Sequence, residues 1–394
     1  MVSEDFKAML QGKSVIRMLS EFATARGEEI GYENVFDYSL GNPSVPVPQK
    51  FTDVCIRLLQ EGDPMALHGY SQSQGIPKVR QAHADYLNKV YGMEYTKEHL
   101  FMTSGAAGAI AHALRAVTKP GDEVLVIAPY FPEYAQYVNR TGAVMKVVPA
   151  NTENFQVDFE AFEAALTNNV AAVMINTPNN PSGAVYSEDT LKQMAQIMLD
   201  KQEEYGHDIF LISDEPYREI VFDGKTAPYP AKYYDNTLTC YSYSKSLSLP
   251  GERIGYVAIN PKATDADIIS VMCGQISRGI GHNCPASLIQ LAVSEVLGET
   301  ADLRVYETNM NLLYNEMTDL GFEIVRPGGT FYIMPKALEA DAIAFCEKAK
   351  KYDLILVPAN SFEAPGYFRM AYCIDTEKVE RSLEALRKFV KSEY

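Results

Sequence analysis

The chain has 394 residues with 47% hydrophobic and 22% charged side chains, which fits a soluble globular protein long enough for two domains. Its net charge of −16 argues against nucleic acid or an anionic membrane surface as partner, because both attract basic patches. An anionic small molecule stays open, since local arginines override the global field. Six cysteines (Cys55, Cys240, Cys273, Cys284, Cys346, Cys373) form no Cys-x-x-Cys pair. No metal site is therefore expected, and the thiols read as reduced in a cytoplasmic protein. The start, Met1 to Lys7, has no basic stretch followed by an apolar core, and no apolar run approaches a membrane span.

In chain order, the first motif is Ser39-Leu40-Gly41-Asn42-Pro43, followed by Tyr70 ahead of Gly75-Ile76-Pro77. Thr103-Ser104-Gly105-Ala106-Ala107-Gly108 reads as a small-residue turn opening a helix, where free N–H groups and the helix dipole suit an anion. Buried strands are expected at 124–127, 171–175, 210–212, 238–241 and 254–259. Helical patterns alternate with them from about residue 100, as in a mainly parallel sheet covered on both faces. Ligands in such sheets sit beyond the carboxyl ends of strands, and Asn180, Asp214 and Lys245 all follow such ends. After residue 286 the pattern changes. A long helix is expected from Ala286 to about Leu320, then short strands at 322–325, 330–334 and 368–372. A last amphipathic helix over 377–390 has Val379, Leu383, Leu386 and Val390 at helical spacing.

The run Ser242 to Arg253 places Lys245 among small hydroxyl residues, with Arg253 eight positions later. An imine-forming lysine must lose its proton, and desolvation or a nearby cation lowers its pKa. Arg253 suits a phosphate bidentately, and Ser242 and Ser244 are short donors beside it. Asp214 ends a buried run and needs a partner; a protonated pyridine nitrogen is one, with Tyr217 in reach of the ring's phenolic oxygen. These are the parts of a pyridoxal 5'-phosphate (PLP) site. Each alone also has a plainer reading, as a surface lysine or a strand end entering a turn.

From Leu40 to Arg369 these motifs, with Pro129-Tyr130-Phe131, Asn179-Asn180-Pro181-Ser182-Gly183 and Phe368-Arg369, resemble the class I/II aminotransferases of PLP fold-type I in content and order. The resemblance implies an α/β fold. A large PLP-binding domain over 46–286 would hold a mainly parallel seven-stranded sheet flanked by helices. Residues 1–45 and 287–394 would form a smaller, discontinuous α+β domain. It implies phosphate binding by Gly105, Ala106, Ala107, Ser242, Ser244 and Arg253, ring stacking by Phe131, and a bond from Asn180 to the ring oxygen. Tyr130 and Tyr134 stand close enough to Phe131 to confuse the stacking assignment. Tyr70 would reach the phosphate of a partner subunit, making a homodimer with its site at the interface. Gly41, Asn180 and Arg369 would bind substrate, Arg369 at the α-carboxylate.

The implied reaction is ping-pong transfer of an amino group from an L-amino acid to a 2-oxo acid, with Lys245 as the Schiff-base lysine, general base and acid, and Asp214 and Tyr217 supporting it. Arg278 resembles the position from which aspartate aminotransferases offer a second arginine across the dimer, so aspartate or glutamate is the expected donor. A surface arginine is the plainer reading of Arg278. The same scaffold also carries carbon–sulfur β-lyases, decarboxylases and aminotransferases for aromatic or neutral amino acids. Related domains in transcription regulators carry a DNA-binding extension, for which no basic N-terminal stretch is seen.

Overall fold

The computed structural model describes residues 14–394. A helix over Val15–Ile30 leads to strand β1 (Phe36–Asp37). Seven strands then build the main sheet: β2 (Leu100–Thr103), β3 (Glu123–Ile127), β4 (Val144–Val148), β5 (Val170–Asn176), β6 (Phe210–Asp214), β7 (Thr237–Ser242) and β8 (Gly255–Ile259). Their order is β2-β8-β7-β6-β5-β3-β4. Only β8 runs antiparallel to its neighbours; the remaining pairs are parallel.

Side-chain alternation sorts the core onto the two faces of this sheet. Val124, Val126, Met174 and Ile212 pack with Ala109, Ile110, Ala113 and Leu114 of the helix Gly105–Val117. Leu125, Val173, Ile175 and Leu211 turn the other way, onto Leu191, Met194 and Met198 of the helix Glu188–Tyr205. That second helix is capped at its start by Ser187, whose Oγ accepts from the Thr190 N–H at 3.0 Å, worth about 1 kcal/mol.

Five sheet strands match the sequence expectation. The other two, β2 and β4, carry weak signals: β2 is four residues long, and β4 is an edge strand with Val144 and Lys146 turned toward solvent. The long helix expected from 286 to 320 is two helices, Ser287–Ser294 and Arg304–Asp319. Leu291, Ala292, Val293 and Val296 pack with Leu100, Met102 and Tyr256, so the sheet's core continues past the boundary expected at 286.

Residues 322–325 form no strand. Beyond them β9 (Tyr332–Ile333), β11 (Val357–Pro358) and β12 (Phe368–Ala371) make a small antiparallel sheet, while β10 (Leu354–Ile355) pairs in parallel with β1. The last helix, Thr376–Glu393, buries Val379, Leu383, Leu386 and Phe389; Phe389, not Val390, is its last core residue.

Candidate active site

The carboxyl ends of β5, β6 and β7 open on one cavity of about 280 Å³. It collects Asn176 at the end of β5 and Asn180 beyond it, Asp214 and Tyr217 from the end of β6 onward, and Ser242 at the end of β7 with Ser244 and Lys245 beyond it. Ala106 and Ala107 enter from the first turn of the helix after β2, Phe131 from the segment after β3, and Arg369 from β12.

Lys245 lies in a short helical turn, Tyr243–Ser246, started by Ser242, whose Oγ accepts from the Ser244 N–H at 3.1 Å. The hydroxyls of Ser242 and Ser244 are 2.6 Å apart. Lys245 Nζ donates to the Gly41 carbonyl at 2.8 Å and lies 5.3 Å from the ring centre of Phe331. Burial pushes its pKa down to about 8, and the positive charges of Arg253 and Arg369 act in the same direction. At neutral pH about a tenth of such an amine is unprotonated, far more than for an ordinary lysine.

Asp214 is the buried carboxyl of the site. Tyr134 donates to its Oδ2 at 2.5 Å, and the Asn176 amide donates to its backbone carbonyl at 2.8 Å. Its Oδ1 is buried without a hydrogen-bond partner. Burial raises the carboxyl's pKa to about 7, against the lowering effect of the Tyr134 bond. A buried carboxylate with one free oxygen fits a protonated ring nitrogen, which would supply the missing donor and favour the ionised form.

At the other end of the cavity, Gly105 opens the helix Gly105–Val117 at φ +75°, and a Cβ there would lie 2.9 Å from Nη2 of Arg253. The N–H groups of that first turn have no carbonyl of their own helix to bond. Arg253 itself holds a left-handed φ of +52° and donates to the Pro250 and Ser104 carbonyls. Helix start, guanidinium and paired hydroxyls suit a phosphate.

Arg369 is 2% exposed. Its Nη1 donates to Asn180 Oδ1 at 3.2 Å, and its Nη2 donates to the Ser39 carbonyl. Its Nε is buried without a partner, and the guanidinium stacks 4.7 Å from the ring centre of Tyr332. Tyr332 in turn meets the Tyr217 hydroxyl at 3.1 Å. Gly41 has no room for a Cβ because the Tyr332 hydroxyl occupies that space.

The sequence of the chain matches the family Aminotransferase class I and II over residues 33–386. The protein is a class I/II aminotransferase. It is similar to a probable aspartate/prephenate aminotransferase from Aquifex aeolicus, with 30% identity covering 93% of this chain and 94% of that one. An aminotransferase structure from Eubacterium rectale superposes with a TM-score of 0.96 at 45% identity, covering 99% of this chain and 98% of that one. A Thermus thermophilus aspartate aminotransferase with maleate superposes at 0.87 with 26% identity, covering 99% of each. The family depends on pyridoxal phosphate, so the chain is a PLP-dependent aminotransferase of fold-type I acting on amino acids and 2-oxo acids.

Of the residues singled out by sequence, Gly41, Ala106, Ala107, Phe131, Asn180, Asp214, Tyr217, Ser242, Ser244, Lys245, Arg253 and Arg369 line the cavity. Gly105 stands directly behind it. Tyr70 and Arg278 do not reach it; both are exposed on the surface of the chain. Sequence reading missed Asn176, Tyr137, Tyr332, Ile16 and Leu40 in the wall, and treated Tyr134 only as a rival to Phe131. The signal for Asn176 was available, since a polar residue ending a fully buried strand needs a purpose. Ile16 and Leu40 carried none. Among the described residues no cluster of metal-ligating side chains occurs, and no helix is long and apolar enough to cross a membrane.

Proposed function

We propose that the chain transfers amino groups by a ping-pong mechanism, with aspartate or glutamate as donor and a site completed by a second subunit. The observation that carries the chemistry is the buried Lys245 amine, its pKa lowered to about 8, in one cavity with Arg369 and the half-satisfied Asp214. Bound PLP supplies an electrophilic carbon for the amino group and a ring that withdraws electrons from Cα. Arg253, Ser242, Ser244 and the N–H groups of Gly105, Ala106 and Ala107 hold its phosphate. Phe131 would stack on the ring, Asn180 and Tyr217 would hold the ring oxygen, and Asp214 would meet the ring nitrogen. Lys245 would anchor the cofactor covalently in the resting enzyme and become a free amine once the amino acid takes its place.

Arg369 grips the α-carboxylate with its planar fork and orients the Cα–H bond toward Lys245. The Lys245 amine takes the Cα proton as base and returns it as acid. Arg369 then releases the first 2-oxo acid and accepts the second on the same guanidinium.

The homodimer is supported by the apolar side chains exposed near Tyr70 and Arg278 in the sequence: Met65, Ile268, Val271, Met272 and Ile280. Arg278 lies on the helix Ala266–Ile280 among them, free to serve the partner's cavity as the cation for a distal carboxylate. The larger domain, expected over 46–286, also carries the packing of Leu291, Ala292, Val293 and Val296. Free cysteines throughout support a cytoplasmic protein. Relatives named for aspartate, and the neighbour with maleate, support the dicarboxylate donor. A second reading, a neutral or aromatic donor, is favoured by Ile16, Leu40 and Tyr332, which give this chain's own share of the cavity wall an apolar surface.

One experiment separates these readings. Holoenzyme mixed with L-aspartate and no acceptor should release one equivalent of oxaloacetate per site and lose its resting visible band. No change with aspartate but conversion by alanine or phenylalanine selects the second reading. Continuous release of pyruvate and ammonia would replace transamination by elimination.

A further inference from the structure

Asp214 and Glu215 are adjacent buried carboxyls, 6% and 1% exposed. Consecutive residues at a strand end point to opposite faces. Asp214 faces the cavity, Tyr134 and Asn176. Glu215 faces the far side, where Arg218 Nε donates to its Oε2 at 2.8 Å.

Arg218 is itself buried, in an aromatic box. Its guanidinium lies 4.6 Å from the ring centre of Tyr241, 5.0 Å from Tyr229 and 5.3 Å from Tyr91, and its Nη1 donates to the Tyr256 hydroxyl at 3.3 Å. A second acid shares the box: Glu219 accepts from the Tyr241 hydroxyl at 2.8 Å. That hydroxyl is also 2.8 Å from Oγ of Ser246, the neighbour of Lys245. Burial raises the pKa of both glutamates, and the Arg218 charge opposes that rise.

Two like charges on neighbouring buried residues disfavour each other's ionisation. Arg218 pairs with Glu215 and leaves Asp214 Oδ1 without a protein donor. We propose that Arg218 is a positioning residue that neutralises Glu215 and so keeps Asp214 the ionised partner of the cofactor's ring nitrogen. Arg218 touches neither the cavity nor the cofactor; it acts through Glu215 and the turn that carries Asp214 and Tyr217. The inference rests on the ring-nitrogen role proposed above for Asp214.

The test loads the full-length protein with PLP carrying ¹⁵N in the ring and reads the nitrogen's chemical shift. Wild type should show a protonated nitrogen and Asp214→Asn an unprotonated one; failure of that contrast removes the role of Asp214 itself. Given the contrast, Arg218→Met should lose the ring proton. Its kcat should fall by roughly tenfold or more with little change in KM, since each pKa unit is a factor of ten in protonation. Glu215→Gln combined with Arg218→Met should restore the proton, and Arg218→Lys, which keeps the charge, should retain it. A protonated nitrogen in Arg218→Met overturns the inference. Should Arg218→Met fail to fold, an unprotonated nitrogen in Arg218→Lys or in the double variant overturns it equally.

Discussion

The floor of the cavity and the rim that a partner subunit would add to it are built in opposite ways. On the floor Asn176, Asp214 and Arg369 are buried and Lys245 is half-buried, and each is held by neighbours in its own chain. The rim positions Tyr70 and Arg278 stand exposed, away from the cavity of the chain that carries them. In the proposed reaction the floor carries the bond-making chemistry, which needs fixed geometry and shifted pKa values. In the proposed homodimer the rim would serve recognition that a second subunit completes.

The largest effect expected on the floor is from Lys245→Ala, which should abolish turnover; near-normal kcat would remove the lysine from the mechanism. The same variant sharpens the contrast when mixed with Arg278→Ala. A hybrid dimer pairs one doubly damaged site with one intact site, so mixing the two variants should restore turnover at the low aspartate KM that neither shows alone. No recovery in a dimer shown to be mixed would place both residues in one chain's site, or Arg278 in none.

Next in size is Arg369→Ala. Removing one partner of a buried, charge-assisted contact costs about 2–5 kcal/mol of binding, read as a rise in KM for every amino acid tested. A rise confined to dicarboxylates would move the α-carboxylate grip elsewhere. Arg278→Ala is expected to raise KM for aspartate by roughly tenfold and leave alanine nearly unchanged, as for an exposed charge that binds only a distal carboxylate. Equal effects on both substrates would merge rim with floor.

A separate effect is on stability. Asp214 titrates near 7 in the folded protein without cofactor, above its ordinary 3.8. The folded state then binds the proton more tightly than the unfolded one between those values. Stability from this group is thus present below about pH 4 and lost as pH rises toward 7. Urea unfolding of cofactor-free protein should show that decline relative to Asp214→Asn, and a flat difference above pH 7. A difference independent of pH would mean that Asp214 is ionised throughout.

Much of the floor was legible from residues in order along the chain. Buried runs ending in Asp214 or followed by Asn180 and Lys245 announce a shared site, because parallel strands deliver their carboxyl ends to one edge. The small-residue turn at Gly105 and the hydroxyls around Lys245 announce a phosphate for equally local reasons. Tyr134 and Tyr332 were not legible. Their roles are hydrogen bonds to Asp214 and Tyr217, separated by 80 and 115 positions in the chain.

Elsewhere the same division holds. Hydrophobic periodicity determined five of the sheet strands and the last helix, since burial of one face or both writes itself into local pattern. It did not determine the edge strand β4, half exposed to solvent, nor the break between the helices ending at Ser294 and starting at Arg304. The sequence by itself determined the class of chemistry: the lysine, the anion and the phosphate cradle are carried by short motifs with local physical causes. Only the tertiary structure decided that Arg218 pairs with Glu215 rather than Asp214, that Ser39 and Gly41 offer their carbonyls to Arg369 and Lys245, and that Arg278 is exposed and does not line its own chain's cavity. Those are contacts between distant segments or between neighbours on opposite faces, and no local pattern encodes which partner a buried charge will find.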